Sequence, residues 1–352
     1  MSTHQTAVTA AQAAVGFRHL YLRQLIASGI PRSEIADLER QISAGAAVTM
    51  PPHLAELGDM LALLGNAAAH GASLKTTLQL GLWEQHKIIY RLDADLANDL
   101  ATVSDKDVLH RDVLHRLPHP DPYIHLPNPI IFTGRSGQAT EVRGFFISGV
   151  RYDADSPMIC STHHPQRQYL ALLFPRLPYD TLDDTAAGHE TPEYEFSRIQ
   201  LLFPGATATL GELIADTQRR FRDHTGDMPR EDVARLLRAS IAPILYTCTV
   251  NPDIRQTAAG RSKRHRRQGK AVAMYDLGYR LGSAIRSWKA ERASVTATTG
   301  SGSTKRPHWR KPHLHTFRTG VGRTETVMHY ISGIPVNGYT GADKPVVIPV
   351  RK

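Results

Sequence analysis

"YIHLPNPIIFTG" at residues 123–134, followed by "EVRGFFISGVRY" at 141–152, is where the chain changes its period. Upstream, apolar residues recur every three or four positions. Here they gather into short runs rich in β-branched and aromatic side chains, separated by the turn-forming "GRSGQAT" at 134–140. Such runs on either side of a Gly-containing turn predict paired antiparallel strands. "RQYLALLF" (167–174) and "IQLLFP" (199–204) predict two more.

Upstream of this centre the pattern is helical. Val15, Leu20, Leu22, Leu25 and Ile26 recur at helical spacing over 10–28, and "SGIPRSEIADLERQI" (28–42) restarts with Pro31 and Ser33 placed as helix-start residues. Residues 54–70 and 74–100 repeat the pattern, which predicts a helical bundle or cap. Downstream, 209–222, 230–250 and 271–292 return to helical spacing, with the basic run "RSKRHRRQGK" (261–270) as a loop between the last two. "ASVTATTGSGSTK" (293–305) lacks hydrophobic periodicity and predicts a flexible connector. Strand-like pieces follow: "LHTFRTG", "TVMHYISGIPVNG" and "PVVIPV". Helices, strands, helices, then strands predict an α+β fold. Its expected parts are a helical region (1–115), an α+β body (116–292), a linker (293–305) and a basic strand-rich segment (306–352) packing on the body.

The 352 residues are 41% hydrophobic, enough for a sizeable core. No stretch reaches the roughly 18 apolar residues of a membrane span, and residues 1–16 show no basic region followed by an apolar run. The two cysteines, Cys160 and Cys248, are far apart, which argues against a disulfide framework and against a cysteine-based zinc site. The expectation is a soluble protein of a reducing cytoplasm, with no membrane partner. The net charge of +9 is split: from Arg255 onward about 20 Lys and Arg face about 4 Asp and Glu, so this third carries roughly +16 and the remainder roughly −7. A basic third attracts polyanions by counterion release.

Two stretches in that third bear chemistry. "RPHWRKPHLHTF" (306–317) packs three histidines, two arginines, a lysine and two aromatics into one run. A strand centred on Leu314 would put His313 and His315 on one face. A metal site completed by His308 or His329 would be opposed by Arg306, Arg310 and Lys311. Two of His308, His313 and His315 could instead act as base and acid in metal-free RNA cleavage. The reading placed first is a binding surface, in which arginine and lysine hold phosphates while Trp309 and Phe317 stack on bases. In "YDLGYRLGSAIRSW" (275–288), Leu277, Leu281, Ala284, Ile285 and Trp288 form an apolar stripe, and Gly278 and Gly282 permit close approach of another element. Arg280 and Arg286 are left to reach phosphate or an internal carboxylate such as Asp253. "LYTCTVNPDIRQ" (245–256) reads as the end of a buried helix, with Cys248 a small buried hydrophobe. No phosphate loop, nucleophile elbow or dinucleotide fingerprint is present, and nothing calls for a cofactor.

Three of these stretches together resemble the second type V-A anti-CRISPR family, carried by phages and other mobile elements. Cys248, Pro252, Asp253 and Ile254 match its Cys-x3-Pro-Asp-Ile. Gly278, Arg280, Leu281, Gly282, Ser283 and Arg286 match Gly-x-Arg-Leu-Gly-Ser-x-x-Arg. Arg306, Pro307, His308, Arg310, Lys311, His313 and His315 match Arg-Pro-His-x-Arg-basic-x-His-x-His. Upstream, "IIYRLDADL" (88–96) and "VRGFF" (142–146) are similar to family stretches in the same order. Leu314 stands where the family has an aromatic, and Met328–Tyr330 where it has arginine followed by tryptophan.

The resemblance implies a protein that recognises the nascent N-terminal segment of the type V effector, or another nascent target, and provokes loss of the mRNA being translated. Its implied partners are a nascent peptide, RNA or the translating ribosome, and a host nuclease if the chain does not itself cut. Arg280, Arg286, Arg306, His308, Arg310, Lys311, His313, His315 and Arg318 are the expected polyanion surface of a non-enzymatic binder. The alternatives are a histidine-dependent ribonuclease and a purely structural role for the histidine run.

Overall fold

The computed structural model describes residues 3–27, 31–43, 48–49, 74–133, 139–150, 158–160, 169–178, 195–225, 230–257, 272–295 and 308–336. The chain opens with helices α1 (Thr3–Ala27) and α2 (Arg32–Ser43) and a two-residue strand β1 (Val48–Thr49). After α3 (Leu74–His86) come β2 (Ile88–Leu92), α4 (Ala94–Leu100), β3 (Val108–His110), a 3-10 turn (Arg111–Arg116), β4 (Tyr123–Thr133) and β5 (Ala139–Val150). The middle holds β6 (Met158–Cys160), β7 (Tyr169–Pro178), β8 (Glu195–Leu202), β9 (Thr207–Thr209), α5 (Leu210–Thr225) and α6 (Arg230–Thr247). Last come β10 (Ile254–Thr257), β11 (Ala273–Leu277), α7 (Tyr279–Val295), β12 (His308–Arg310), β13 (His313–Thr319), β14 (Glu325–Ile331) and β15 (Ile334–Val336). The fold is α+β. Among the described residues no helix is long and apolar enough to cross a membrane.

Nine of these strands form one mixed sheet. The predicted pair, β4 and β5, is antiparallel, with Tyr123 opposite Phe146 and Ile124 opposite Phe145. β7 and β8 extend it antiparallel on one side. On the other side β4, β2 and β11 run parallel, and β10 closes that edge antiparallel to β11. Helices cover both faces. On one, Tyr90, Ile124, Phe145, Leu172 and Ile199 join a core with Leu96 of α4, Leu213 of α5 and Leu237 and Ile241 of α6. On the other, Ile89, Tyr123, Phe146 and Leu173 are equally buried. There Trp83 of α3 meets Phe146 edge-on at 5.6 Å, and its Nε1 donates to the Ile88 carbonyl at 2.8 Å. Arg18 of α1, itself buried, ties this layer together through Glu39, Glu84 and the Thr77 carbonyl. A sheet buried on both faces explains why "GFFIS" and "YLALLF" are continuous apolar runs rather than alternations.

Two expected helices are divided. Residues 74–100 break at Lys87, whose φ of 52° ends α3, and "IIYRL" becomes β2. A doubly buried strand loses the period of two that would have marked it, and adjacent β-branched isoleucines favour the extended chain. Residues 271–292 likewise begin as strand β11 and turn into α7 at Gly278, with φ 84°. The run 54–70, the basic loop 261–270, the connector from residue 296 to 305 and "PVVIPV" lie outside the described residues.

Gly278 and Gly282 do admit another element, as predicted. A Cβ at Gly278 would stand 2.2 Å from Leu96 Cδ2, and one at Gly282 only 2.0 Å from Asp93 Oδ1. Asp93 is the N-cap of α4, accepting from the amides of Asp95 at 2.9 Å and Leu96 at 3.2 Å. Gly282→Ala is therefore expected to displace this cap and lower stability by about 1–3 kcal/mol, the usual cost of overpacking. Urea unfolding of the two proteins checks it, and an unchanged midpoint would contradict the contact.

Candidate nucleic-acid interface

The histidine-rich run ends in the hairpin β13–β14, whose register places Leu314 opposite Tyr330, His315 opposite His329 and Phe317 opposite Val327. One face of this ribbon is fastened to the body. Leu314 and Met328 are part of the main core. The Leu314 amide donates to Asp107 Oδ2 at 2.7 Å, the Val250 amide to the Met328 carbonyl at 2.9 Å, and Thr316 Oγ1 to the Val108 carbonyl at 3.0 Å. Tyr330 donates its hydroxyl proton to Asp99 and packs edge-on against Tyr246 at 5.1 Å.

The opposite face points away from the body. His313 and His315 share it, as the strand reading required, with ring centroids 6.5 Å apart. The His315 imidazole stacks on Phe317 at 4.1 Å and 14°, and Phe317 meets His329 edge-on at 5.3 Å. Phe317 is 41% exposed, although rings contact it on two sides. Burial, then the neighbouring His315 and Arg116, push the His329 imidazole below its ordinary pKa, so it is neutral at pH 7. Lys311, Arg318 and Arg323 are exposed around this platform, and Arg116 approaches from the 3-10 turn. The result is an aromatic cluster with a cationic rim.

The remaining expected residues are dispersed. His308 and Arg310 stand in β12, paired with β15, while Arg306 lies outside the described residues. Arg280 and Arg286 sit on α7, away from the hairpin's register, and both engage carboxylates. Arg280 Nε donates to Asp253 at 2.9 Å, and Arg286 Nη1 donates to Asp93 at 2.8 Å and Asp95 at 3.0 Å. Asp253 is the internal carboxylate that the sequence offered them; the Asp93–Asp95 pair had no local signal, lying more than 190 residues away. Among the described residues no group of three or more His, Cys, Asp or Glu side chains could hold a metal ion. The sequence reading left His329 out of the binding set, because only the strand register brings it beside His315, and it missed Arg116 altogether.

A model of the AcrVA2-like family, the anti-CRISPR type V subtype A2 family, matches residues 90–338, from β2 past β15. The chain belongs to this family. The crystal structure of AcrVA2 is similar at a TM-score of 0.46 and 15% identity, covering 94% of this chain and 96% of that one. No curated protein matches the sequence. The AcrVA2-like stretches now have places. Cys248 is buried just beyond α6, Asp253 precedes β10, the glycine-arginine stretch opens α7, and the histidine run enters the hairpin.

Burial raises the pKa of both hairpin anchors, Asp99 and Asp107, against the pull of Tyr330 on the first and of the Leu314 amide on the second. A raised carboxyl pKa means the folded state holds its proton more tightly than the unfolded chain. This contribution is therefore full below the unfolded pKa of about 4 and is lost as pH rises through the folded value. Asp99→Asn, which keeps an acceptor for Tyr330, should flatten the dependence of melting temperature on pH above 4 and leave the protein at least as stable at pH 7. A variant with unchanged slope would show that Asp99 does not carry it.

Proposed function

We propose that this anti-CRISPR family member acts during translation. It recognises a nascent polypeptide, the N-terminus of a type V effector or another target, and brings about loss of the mRNA, with the C-terminal hairpin contacting RNA or the ribosome. The observation that carries the RNA half is the exposed His315–Phe317 stack bordered by His329, Lys311 and Arg318. Flat rings accept unpaired bases whatever their sequence, while the rim holds phosphates. The split between an acidic body and a basic last third supports the same division of labour. In this reading the chain binds, and a host nuclease cuts. A second reading has its own observation: His313 and His315 are 6.5 Å apart on one face, a separation at which one imidazole could accept a proton and the other donate one across a phosphate.

Purified protein titrated with single-stranded RNA over a salt series separates these. Phe317→Ala should weaken binding by about 5- to 150-fold, the worth of one base–aromatic stack. Replacing Lys311, Arg318 and Arg323 by alanine should reduce the salt slope by about 0.7 for each phosphate that is no longer neutralised. RNA that stays intact, with and without the target peptide, favours the binder. Cleavage that disappears in His315→Ala would transfer the function to the ribonuclease reading. Unchanged affinity and slope in both sets of variants would remove RNA binding from this hairpin.

A further inference from the structure

The face of the sheet beneath α1 and α3 carries a polar row that the proposed RNA platform does not use. Arg255, Asp276, Arg91 and His125 stand directly opposite one another on β10, β11, β2 and β4, so their side chains project to the same side. The next strand places Gly144 opposite His125, with Arg143 beside it. A Cβ at Gly144 would stand 2.4 Å from Tyr123 Oη, so the glycine leaves room for that hydroxyl next to the row. The charges are incompletely matched. Arg91 Nε donates to Asp276 Oδ1 at 2.9 Å, with Nη2 on the same oxygen; Arg255 Nη2 reaches Asp276 Oδ2 at 3.1 Å; and Arg143 meets the buried Glu141 through Nε alone. Three guanidinium groups thus face two carboxylates. Among the described residues, Arg143 shows no partner for its terminal nitrogens.

His125 lies in the middle of this row. It is only 9% exposed, and its Nδ1 has no hydrogen-bond partner among the described residues. A buried polar atom without a partner is costly, and the same site holds unused guanidinium donors on both sides. A cation is repelled by such a row, and an apolar group would leave every donor unmet. We propose that this row is a binding site for one small oxyanion, a phosphate or carboxylate group, held between Arg91 and Arg143 with a hydrogen bond from His125. Burial, then Arg143 and Arg91, hold the His125 pKa at about 4, so at neutral pH the ring is uncharged and can donate a single proton from Nδ1 to an anion. The two guanidinium forks supply the charge and the planar geometry that oxyanions select.

The test uses the full chain with isotopically labelled histidine, the His125 signal being assigned with His125→Gln. Inorganic phosphate and, separately, acetate are titrated at constant ionic strength. The expected result is a saturable shift of the His125 ring signal with at least one of the two, and a His125 pKa that rises when the site is filled. Saturation by phosphate alone or acetate alone assigns the group. The paired variant Arg143→Gln/Glu141→Gln, which removes one fork without changing the net charge of the row, should weaken the response about tenfold or more. Arg91→Lys, which keeps the charge opposite Asp276 but removes the fork, should do the same. A His125 signal that neither anion moves, or equal affinity in wild type and in folded variants, overturns the proposal. Crystals soaked in phosphate and in acetate that both show only a water at Nδ1 would overturn it too.

Discussion

A buried carboxylate, Asp253, fixes the relation of three elements on which the rest of the molecule depends. Its side chain accepts from the amides of Arg280 at 2.6 Å and Leu281 at 2.9 Å, which starts α7, and from Arg280 Nε. Its carbonyl accepts from the Gly278 amide at 2.7 Å, and its own amide donates to Tyr246 Oη at the end of α6. An anion at a helix N-terminus satisfies amides that have no partner within the helix. From Tyr246 the contacts run on to Tyr330 and Asp99, so the carboxylate that starts α7 is also linked to the hairpin that bears the aromatic platform. Removing it would leave the α7 amides and the Arg280 guanidinium without their acceptor at once.

Asp93 plays the corresponding part for α4, and it gives the family stretches an architectural meaning. Gly282 lets the Asp93 carboxylate lie against α7, and Arg286, one turn further along, then pairs with Asp93 and Asp95, with Lys289 adding a second contact to Asp95 at 2.8 Å. "IIYRLDADL", "NPDI" and "GYRLGSAIR", distant in sequence, are three sides of one junction between α4, β10 and α7. Two arginines that basic composition assigned to a polyanion are held by carboxylates on this junction. That does not remove them from solvent, since both side chains remain at least half exposed. It does lower the positive potential they present, because each is paired.

What could be read from residues alone follows the same physics. The change of period at residues 123–150 was legible because β-branched and aromatic runs flank a glycine turn. The start of α5 was legible too, since helical spacing resumes at Thr209; there the fold adds a reciprocal capping box, the amides of Thr209 and Glu212 each donating to the side chain of the other. β2 and β11 were not, because strands covered on both faces carry no alternation and each runs within a few residues of a helix. His313, Leu314 and His315 betrayed their alternation by spacing alone. His329 did not, since its place beside Phe317 depends on a register set by the turn at Gly320–Arg323, where Gly320, Gly322 and Arg323 all take positive φ. Asp99 and Asp107 look like solvated loop or helix residues, and only the packing of the hairpin over them reveals that they are anchors.

The hairpin shows why a strand is suited to presenting such a surface. Because side chains alternate, Leu314 and Thr316 can be fixed inward while His313, His315 and Phe317 are held outward, and a slip of one residue would exchange the two sets. The Asp107 bond to the Leu314 amide opposes that slip at the residue between the two histidines. A ring that is already stacked on a neighbour within a strand has less freedom to lose when another flat group lies against it than a phenylalanine on a loop that would have to be ordered first. The exposure of Phe317 costs the free protein some solvation energy, and the burial of Leu314 and Met328 on the other face of the same ribbon is what allows that exposure to persist.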